Sequence, residues 1–249
     1  MKKRGQRRLE LAALVCLLLG GIAAAATAPA ELTSEQIVAE MAQHNQQRTA
    51  SLSNYTGERH YHLVYKGFPA HKEAEMQVCA AFTAPGAKKF TIVSQSGSPF
   101  MINHVLKRLL ETEQEVASRE EQSRTALTGA NYDFTLLGSD EVEGRPAYVL
   151  QVSPHQASKY LYRGKVWVDA ADFALVKIEA EPARRHSMWI SKTQVHHVYT
   201  KVGSFWLPAE NHSITDVRLG GVANLTITYG HYEVNQERPG CAAGALARK

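Results

Sequence analysis

Apolar and polar side chains alternate with a period of two over most of the chain after residue 54, and this constrains the fold more than any other feature. In the stretch YLYRGKVWVDAADFALVKIEA, residues 160–180, one set of alternate positions is apolar and the other is mostly charged. Successive side chains of a β-strand point to opposite faces, so this period gives one apolar and one polar face. The chain is therefore predicted to fold around a β-sheet.

Two carboxylates, Asp169 and Asp172, lie where the alternation in this stretch must reverse. Such a pair can be catalytic or can bind a cation, but Asp also favours turns because its carboxylate accepts hydrogen bonds from nearby backbone amides. A catalytic pair belongs in a concave site with other polar groups, whereas these residues lie at the tip of a predicted hairpin. We therefore interpret DAAD as a turn.

Two segments break the alternation and have the period of an amphipathic helix instead. The first begins after Thr33, which has the capping-box spacing with Gln36. The second begins at Ser98-Pro99, and Pro suits the first helical position. Its apolar stripe consists of Ile102, Val105, Leu106, Leu109 and Leu110. A helix inserted between strands must lay its stripe on the sheet, so the fold class is α+β, with about ten or eleven antiparallel strands and two or three helices.

The N-terminus has the pattern of a secretory signal peptide. Basic residues precede an apolar run from Leu11 to Ile22, which is short for a transmembrane helix, and Ala24 and Ala26 form a cleavage site. We predict a cleaved signal at 1–26, a binding domain at 27–234 and a flexible tail at 235–249. An uncleaved anchor is the alternative. Export implies a periplasmic protein.

The signal peptide also explains the basic charge of the chain. The net charge is +4, and residues 1–26 carry five basic side chains and one acidic one, so the rest is formally neutral. We therefore expect no nucleic-acid partner. Two of the three cysteines, Cys79 and Cys241, remain after processing and can form a disulfide in an oxidising compartment.

Motifs that would indicate catalysis or a metal are missing from the sequence. There is no G-x-S-x-G motif and no metal-type Cys/His spacing. His60 and His62 share a strand face and can present two imidazoles to a metal, and His196-His197 lie on a later strand, but no acidic or Cys partner lies at a metal-type spacing. We therefore predict solvent-facing histidines, no metal, no cofactor, no catalytic residues and no enzymatic activity.

The segments GRPAYVLQVSP, YLYRGKVWVDAADFALVKIEA, FWLPAENHSI and LTITYGHYEV, in this order, resemble the bacterial periplasmic lipoprotein-carrier superfamily. That superfamily contains LolA, LolB and the N-terminal domain of RseB, and the similarity extends to chains named for outer-membrane lipoprotein sorting. It covers nearly the whole chain after the signal peptide. Its most specific motif is the VWVDAADFALVKIEA hairpin; the rest is the order of elements.

The resemblance implies an open, strongly curved half-barrel with helices across its concave face and an apolar cavity for acyl chains between them. It implies a monomeric carrier of lipoprotein or phospholipid acyl chains, served by a membrane-bound donor or acceptor protein. The candidate cavity residues are Phe100, Ile102, Val105, Leu106, Leu109, Leu110, Tyr160, Tyr162, Val166, Val168, Val176 and Ile178. The alternatives are an RseB-like envelope-stress sensor and, more remotely, a periplasmic hydrolase or metal-binding protein.

Overall fold

Ten antiparallel strands form one sheet in the computed structural model, which describes residues 32–115, 123–185, 187–218 and 220–237. The strands are β1 (Asn54–Gly67), β2 (Lys72–Thr83), β3 (Ala87–Gly97), β4 (Tyr132–Val142), β5 (Arg145–Pro154), β6 (Tyr162–Asp169), β7 (Leu175–Pro182), β8 (Ile190–Val202), β9 (Phe205–Val217) and β10 (Gly221–Val234). Their order across the sheet is β3-β2-β1-β10-β9-β8-β7-β6-β5-β4, and the edge strands β3 and β4 do not pair. The prediction of a large open antiparallel sheet is confirmed.

The sheet consists of two meanders that meet in its interior. Strands β1 to β3 form the first meander and β4 to β10 the second. The first and last strands join them as an antiparallel pair in which Leu63 lies opposite Leu225. The chain passes from one edge of the sheet to the other between β3 and β4, and the second predicted helix lies in this connection.

Both predicted helices are present. Helix α1 spans Ser34–Ser51, and Thr33 and Gln36 form the predicted capping box. The second helix, which we call the central helix, consists of α2 (Pro99–Met101), a π-helical turn (Ile102–Leu106) and α3 (Lys107–Glu115). No helix among the described residues is long and apolar enough to span a membrane.

Helix α1 lies on the half of the sheet formed by β4 to β7. Because a β-strand turns every second side chain inward, these strands offer one continuous apolar surface to the helix. The buried residues of this group, the α1 cluster, are Ile37, Val38, Met41, Tyr132, Leu150, Val152, Leu161, Val166, Val168, Ile178 and Ala180.

The central helix lies on the other half of the sheet, formed by β1, β2 and β10. The buried residues of this group, the central-helix cluster, are Tyr61, Leu63, Ala74, Met76, Val78, Met101, Ile102, Leu106, Leu110 and Ile227. The two helices therefore serve two separate apolar cores on one face of one sheet. We call this the inner face and the opposite one the outer face.

The predicted turn at DAAD is present and joins β6 to β7. The Asp169 carboxylate, 1% exposed, accepts hydrogen bonds from the amides of Ala171 and Asp172 at 3.0 and 2.7 Å. It also pairs with Arg145, whose Nε lies 2.6 Å from Oδ2. Burial alone would raise the pKa of Asp169, but the bonds from Arg145 and the two amides hold it below its ordinary value. Asp169 is therefore a structural carboxylate.

Candidate ligand-binding seam

The middle of the inner face lies between the two clusters. Among the described residues, β9 contributes nothing to either cluster. Its inward positions follow from the register, because directly paired residues share a face. Asn211, Ser213 and Thr215 lie opposite Ile227, Leu225 and Ala223 of β10 and opposite His197, Val195 and Thr193 of β8. We call this strip the seam; it comprises Thr193, Val195, His197, Tyr199, Asn211, Ser213, Thr215 and Tyr229.

Side chains of the seam are surrounded by protein and yet remain partly accessible. Burial, and then the neighbouring His196, lower the pKa of His197 to about 4. Burial raises the pKa of Tyr199 and of Tyr229. All three residues are nevertheless only partly buried. These groups are crowded by neighbouring residues but do not belong to a fully buried core. Because its pKa is low, His197 is neutral at pH 7.

The floor of the seam is polar, whereas its borders are apolar. The hydroxyls of Thr193 and Thr215 lie 3.1 Å apart across β8 and β9. The ring of Tyr162 on β6 meets the His197 ring edge to face, with 5.9 Å between centroids. Val195 and Tyr199 border the α1 cluster, and the bordering residues of the central-helix cluster are Ala223, Leu225 and Tyr229. A strip of this composition suits an amphiphile with apolar chains and an uncharged polar linkage.

A partly buried ion pair fastens α3 beside the seam. Arg59 on β1, 6% exposed, donates from Nη1 and Nη2 to the Glu113 carboxylate at 2.6 and 3.1 Å. Lys88 on β3 donates to the same carboxylate at 2.8 Å. The rings of Phe90 and Tyr229 lie 4.9 and 5.1 Å from the guanidinium carbon of Arg59.

This ion pair alters the titration of its carboxylate. Burial raises the pKa of Glu113, but Arg59 and Lys88 together lower it to about 2. The partners are therefore charged at every physiological pH. Sequence reasoning did not identify this pair. The sequence of β1 could have indicated it. Arg59 occupies the same set of alternate positions as Tyr61 and Leu63 and is the one charged residue among them, which predicts an inward-facing arginine that needs an acidic partner.

The predicted cavity residues of the central helix are mostly core. Ile102, Leu106 and Leu110 are buried, and Val105 packs beside them. Leu109 is 37% exposed and Phe100 is 60% exposed. The π-helical turn explains why the stripe is narrower than predicted. It widens the helix locally and leaves i, i+4, i+8 positions facing the sheet, with Leu109 turned aside.

The predicted cavity residues of the sheet fall on both faces. Val166, Val168 and Ile178 are buried in the α1 cluster, and Tyr162 is partly buried against it. Tyr160 precedes β6, with the Lys159 ammonium 4.7 Å from its ring centroid. These residues and those of the central helix thus belong to two different clusters, and the seam lies between them.

The expectation that Val176 shares a face with Val166 and Ile178 is wrong. The register of β6 and β7 shifts between Trp167 and Val168, so Val176 is the extra residue of a β-bulge. Val176 instead packs on the outer face with Ala147, Val149 and Trp167.

A hollow of the outer face does not fit an apolar ligand. It has a volume of about 610 Å³ and its lining includes Arg163, Lys165, Glu179 and Glu181. Covering charged side chains with acyl chains removes them from water and is costly, so this hollow is no candidate for the predicted cavity.

The predicted disulfide involves one described cysteine. Cys79 is buried on β2 and is disulfide-bonded. Cys241 lies outside the described residues, as do residues 1–31, which include the predicted signal peptide, and residues 238–249 of the predicted tail. The pairing of Cys79 with Cys241 stays a prediction.

Comparisons with known proteins return distant similarities. A family model described as an uncharacterized protein matches residues 114–237. No curated protein matches the chain.

Solved structures give matches over most of the chain. A DUF1329 family protein from Desulfovibrio piger is 10% identical, covers 81% of this chain and 93% of its own, and has a TM-score of 0.40. A domain named for outer membrane lipoprotein sorting from Vibrio parahaemolyticus is 14% identical, with coverages of 80% and 92% and a TM-score of 0.38. A LolA superfamily protein from Nitrosomonas europaea is 12% identical, with coverages of 83% and 96% and a TM-score of 0.36. The third of these proteins is named as a member of the superfamily that the sequence resembles.

Proposed function

We propose that this protein is a periplasmic, non-catalytic carrier that binds the acyl chains of a lipoprotein or lipid in the seam. The observation that carries the proposal is the seam itself, a strip of partly buried side chains between two filled apolar cores. The superfamily resemblance of the sequence suggested a cavity between sheet and helices. The cores beneath α1 and the central helix are packed with protein side chains, so the seam is the better place for a guest.

The composition of the seam matches an acylated ligand. Each methylene that leaves water contributes about 0.8 kcal/mol, and Val195, Leu225 and the rings of Tyr199 and Tyr229 offer the apolar surface for it. The Asn211 amide and the Ser213 hydroxyl can bond the uncharged ester or amide that joins acyl chain to headgroup. Neutral His197 adds no charge to this floor.

Export and transfer belong to the same proposal. A carrier of acylated cargo must receive it from one membrane and deliver it to another, which requires a membrane-bound donor or acceptor protein. The Arg59–Glu113 pair fastens α3 next to the seam, so displacement of α3 by such a partner would open the seam for loading or release. The sorting of outer-membrane lipoproteins is the role that this arrangement serves.

The test fills the seam without removing any core side chain. Ser213→Trp places an indole on the inward side of β9, whereas Ile214→Trp places it at the next position, which is 37% exposed and faces outward. The exported protein and both variants would be purified, extracted and examined by mass spectrometry for bound amphiphiles. A dansyl-labelled fatty acid would measure binding directly.

We expect the wild type and Ile214→Trp to retain an amphiphile and to bind the fatty acid, and Ser213→Trp to lose both. Thermal unfolding monitored by circular dichroism checks that the two variants fold equally well. The proposal is wrong if the wild type neither carries an amphiphile nor binds the probe, or if both variants bind it equally.

A further inference from the structure

We infer that the outer face of β1 and β2 carries a binding site for a borderline divalent metal ion such as Zn²⁺. This site is separate from the seam, on the opposite face of the sheet, and does not depend on the proposed carrier function. Its residues are His62, Glu73 and Glu75, with His60 beside them.

The register brings these side chains together. His62 and Glu75 are directly paired across the two strands, and Glu73 lies two residues along β2, on the same face. The inward residues Tyr61 and Leu63 flank His62 and are buried in the central-helix cluster, so His62 must point outward. Sequence spacing along one strand did not show this, because the acidic partners come from the neighbouring strand.

The distances suit coordination. One nitrogen of His62 and one oxygen of each glutamate all lie within 4.8 Å of one another. In a tetrahedral zinc site, ligand atoms are roughly 3.4 Å apart, a distance that small rotations of these exposed side chains can reach. His62 Nε2 already lies 2.6 Å from Glu73 Oε1, and His60 Nε2 lies 3.9 Å from Glu75 Oε2.

The local charge also favours a cation. In the part of the chain that the structure describes, Glu73 and Glu75 form ion pairs with imidazoles alone. The flanking strands present hydroxyls at the paired positions, with Thr226 opposite His62 and Ser96 opposite Glu75. The two carboxylates have no lysine or arginine counterion among the described residues, so they are free to bind a cation. Carboxylates combined with an imidazole favour zinc over calcium or magnesium, which prefer oxygen ligands.

The experiment titrates the full secreted chain, without an affinity tag, with Zn²⁺ alone. Isothermal calorimetry gives stoichiometry and affinity, and Co²⁺ in place of Zn²⁺ reports the coordination geometry through its visible absorption. The test variants are His62→Ala and Glu75→Gln. The matched control is His196→Ala, because His196 also faces a single glutamate on the sheet, Glu179, with 3.6 Å between Nδ1 and Oε1.

We expect one saturable Zn²⁺ site per chain and an affinity at least about tenfold lower in both test variants, because losing even a group that only hydrogen-bonds a metal ligand weakens metal binding that much. His196→Ala should bind like the wild type, and His60→Ala should lose less than His62→Ala. The inference fails if the wild type shows no saturable binding, or if His62→Ala binds as tightly as the control. The inference also fails if Ca²⁺ binds as tightly as Zn²⁺ and His62→Ala does not weaken Ca²⁺ binding, because this result would indicate a site of oxygen ligands only.

Discussion

Glu113 is the side chain that ties the central helix most firmly to the sheet. Its carboxylate receives three hydrogen bonds, two from buried Arg59 and one from Lys88. Removing one member of such a pair is costly because the other is left charged and desolvated. The helix is therefore held by polar contacts to β1 and β3 in addition to its apolar stripe.

Replacing Glu113 should destabilise the protein in a pH-dependent way. At pH 7 we expect Glu113→Gln to lower the free energy of unfolding by about 3 kcal/mol. The folded pKa of about 2 lies below the ordinary value of 4.5, so the stabilisation is fully present above pH 4.5 and is lost as the pH falls towards 2. Urea denaturation at pH 7, 4 and 3 should therefore show a difference from the wild type that narrows with acidification.

The control for this prediction is Glu111→Gln on the same helix. Glu111 pairs with Arg108 at 3.5 Å, and both side chains are exposed. Exposed pairs contribute about 0–1 kcal/mol, so this variant should unfold almost like the wild type. An equal loss in both variants would mean that helix propensity, not the buried pair, is responsible.

Single residues also show which features the sequence could predict. The DAAD turn was predictable because Asp bonds its own neighbouring amides, a contact within four residues. The partners of Asp172 were not, since Lys201 and Trp206 reach it at 2.6 and 3.0 Å from the hairpin of β8 and β9. Local hydrogen bonding can be predicted from the sequence, whereas contacts between distant segments need the strand order.

Among the elements, β6 departs from a regular ladder at two places, Gly164 and Trp167. Gly164 has a φ of +156°, and a Cβ at this position would overlap the Glu179 carbonyl oxygen and lie 2.5 Å from the Ala180 Cα on β7. Close approach of the two backbones therefore requires glycine here. A register shift follows at Trp167, and it turns Val176 to the outer face.

Gly164→Ala should destabilise the protein by about 1–3 kcal/mol, because the added methyl group must separate β6 from β7. Gly230→Ala on β10 is the matched control, since nothing lies within 4 Å of a Cβ built there. Thermal unfolding of the two variants compares them directly. A similar decrease in Tm for both would show that the overlap with β7 is not what makes the Gly164 substitution costly.

The period-two and helical patterns predicted which segments form strands and helices, and the structure agrees with them from α1 to β10. They could not predict the π-helical turn at Ile102–Leu106 or the bulge at Val176, because both insert one residue into a regular repeat. Each insertion interrupts the repeat locally, so the side chains next to it no longer follow the predicted alternation. This is why Leu109 and Val176, placed in the cavity by pattern, lie elsewhere.

At the scale of the whole molecule, two cores share one sheet. The position of the seam could not be predicted from the sequence, because it depends on β9 lying between β8 and β10 with its polar positions turned inward. From the sequence alone, one predicts an alternating strand whose polar side contains Asn211, Ser213 and Thr215. Only the register identifies that side as part of the inner face.

The two cores should contribute to stability independently. Leu150 belongs to the α1 cluster and Met76 to the central-helix cluster, and both are fully buried. Each alanine substitution should cost about 2–5 kcal/mol, and the double variant should lose the sum to within about 0.5 kcal/mol, since the sites share no partners. Urea denaturation checks this. A loss clearly different from the sum would show that the cores are coupled across the seam.

The pairing of β1 with β10 has a mechanical consequence. Tyr55 lies opposite Val234, so the outer ends of the first and last strands are side by side, and Asn235 N–H donates to the Asn54 carbonyl at 2.9 Å. A force that pulls these two ends apart acts along the hydrogen bonds of the antiparallel ladder and loads them one rung at a time. The sheet would then unzip from this end, between its two meanders, at a much lower force than a sheet whose terminal strands must be sheared past one another.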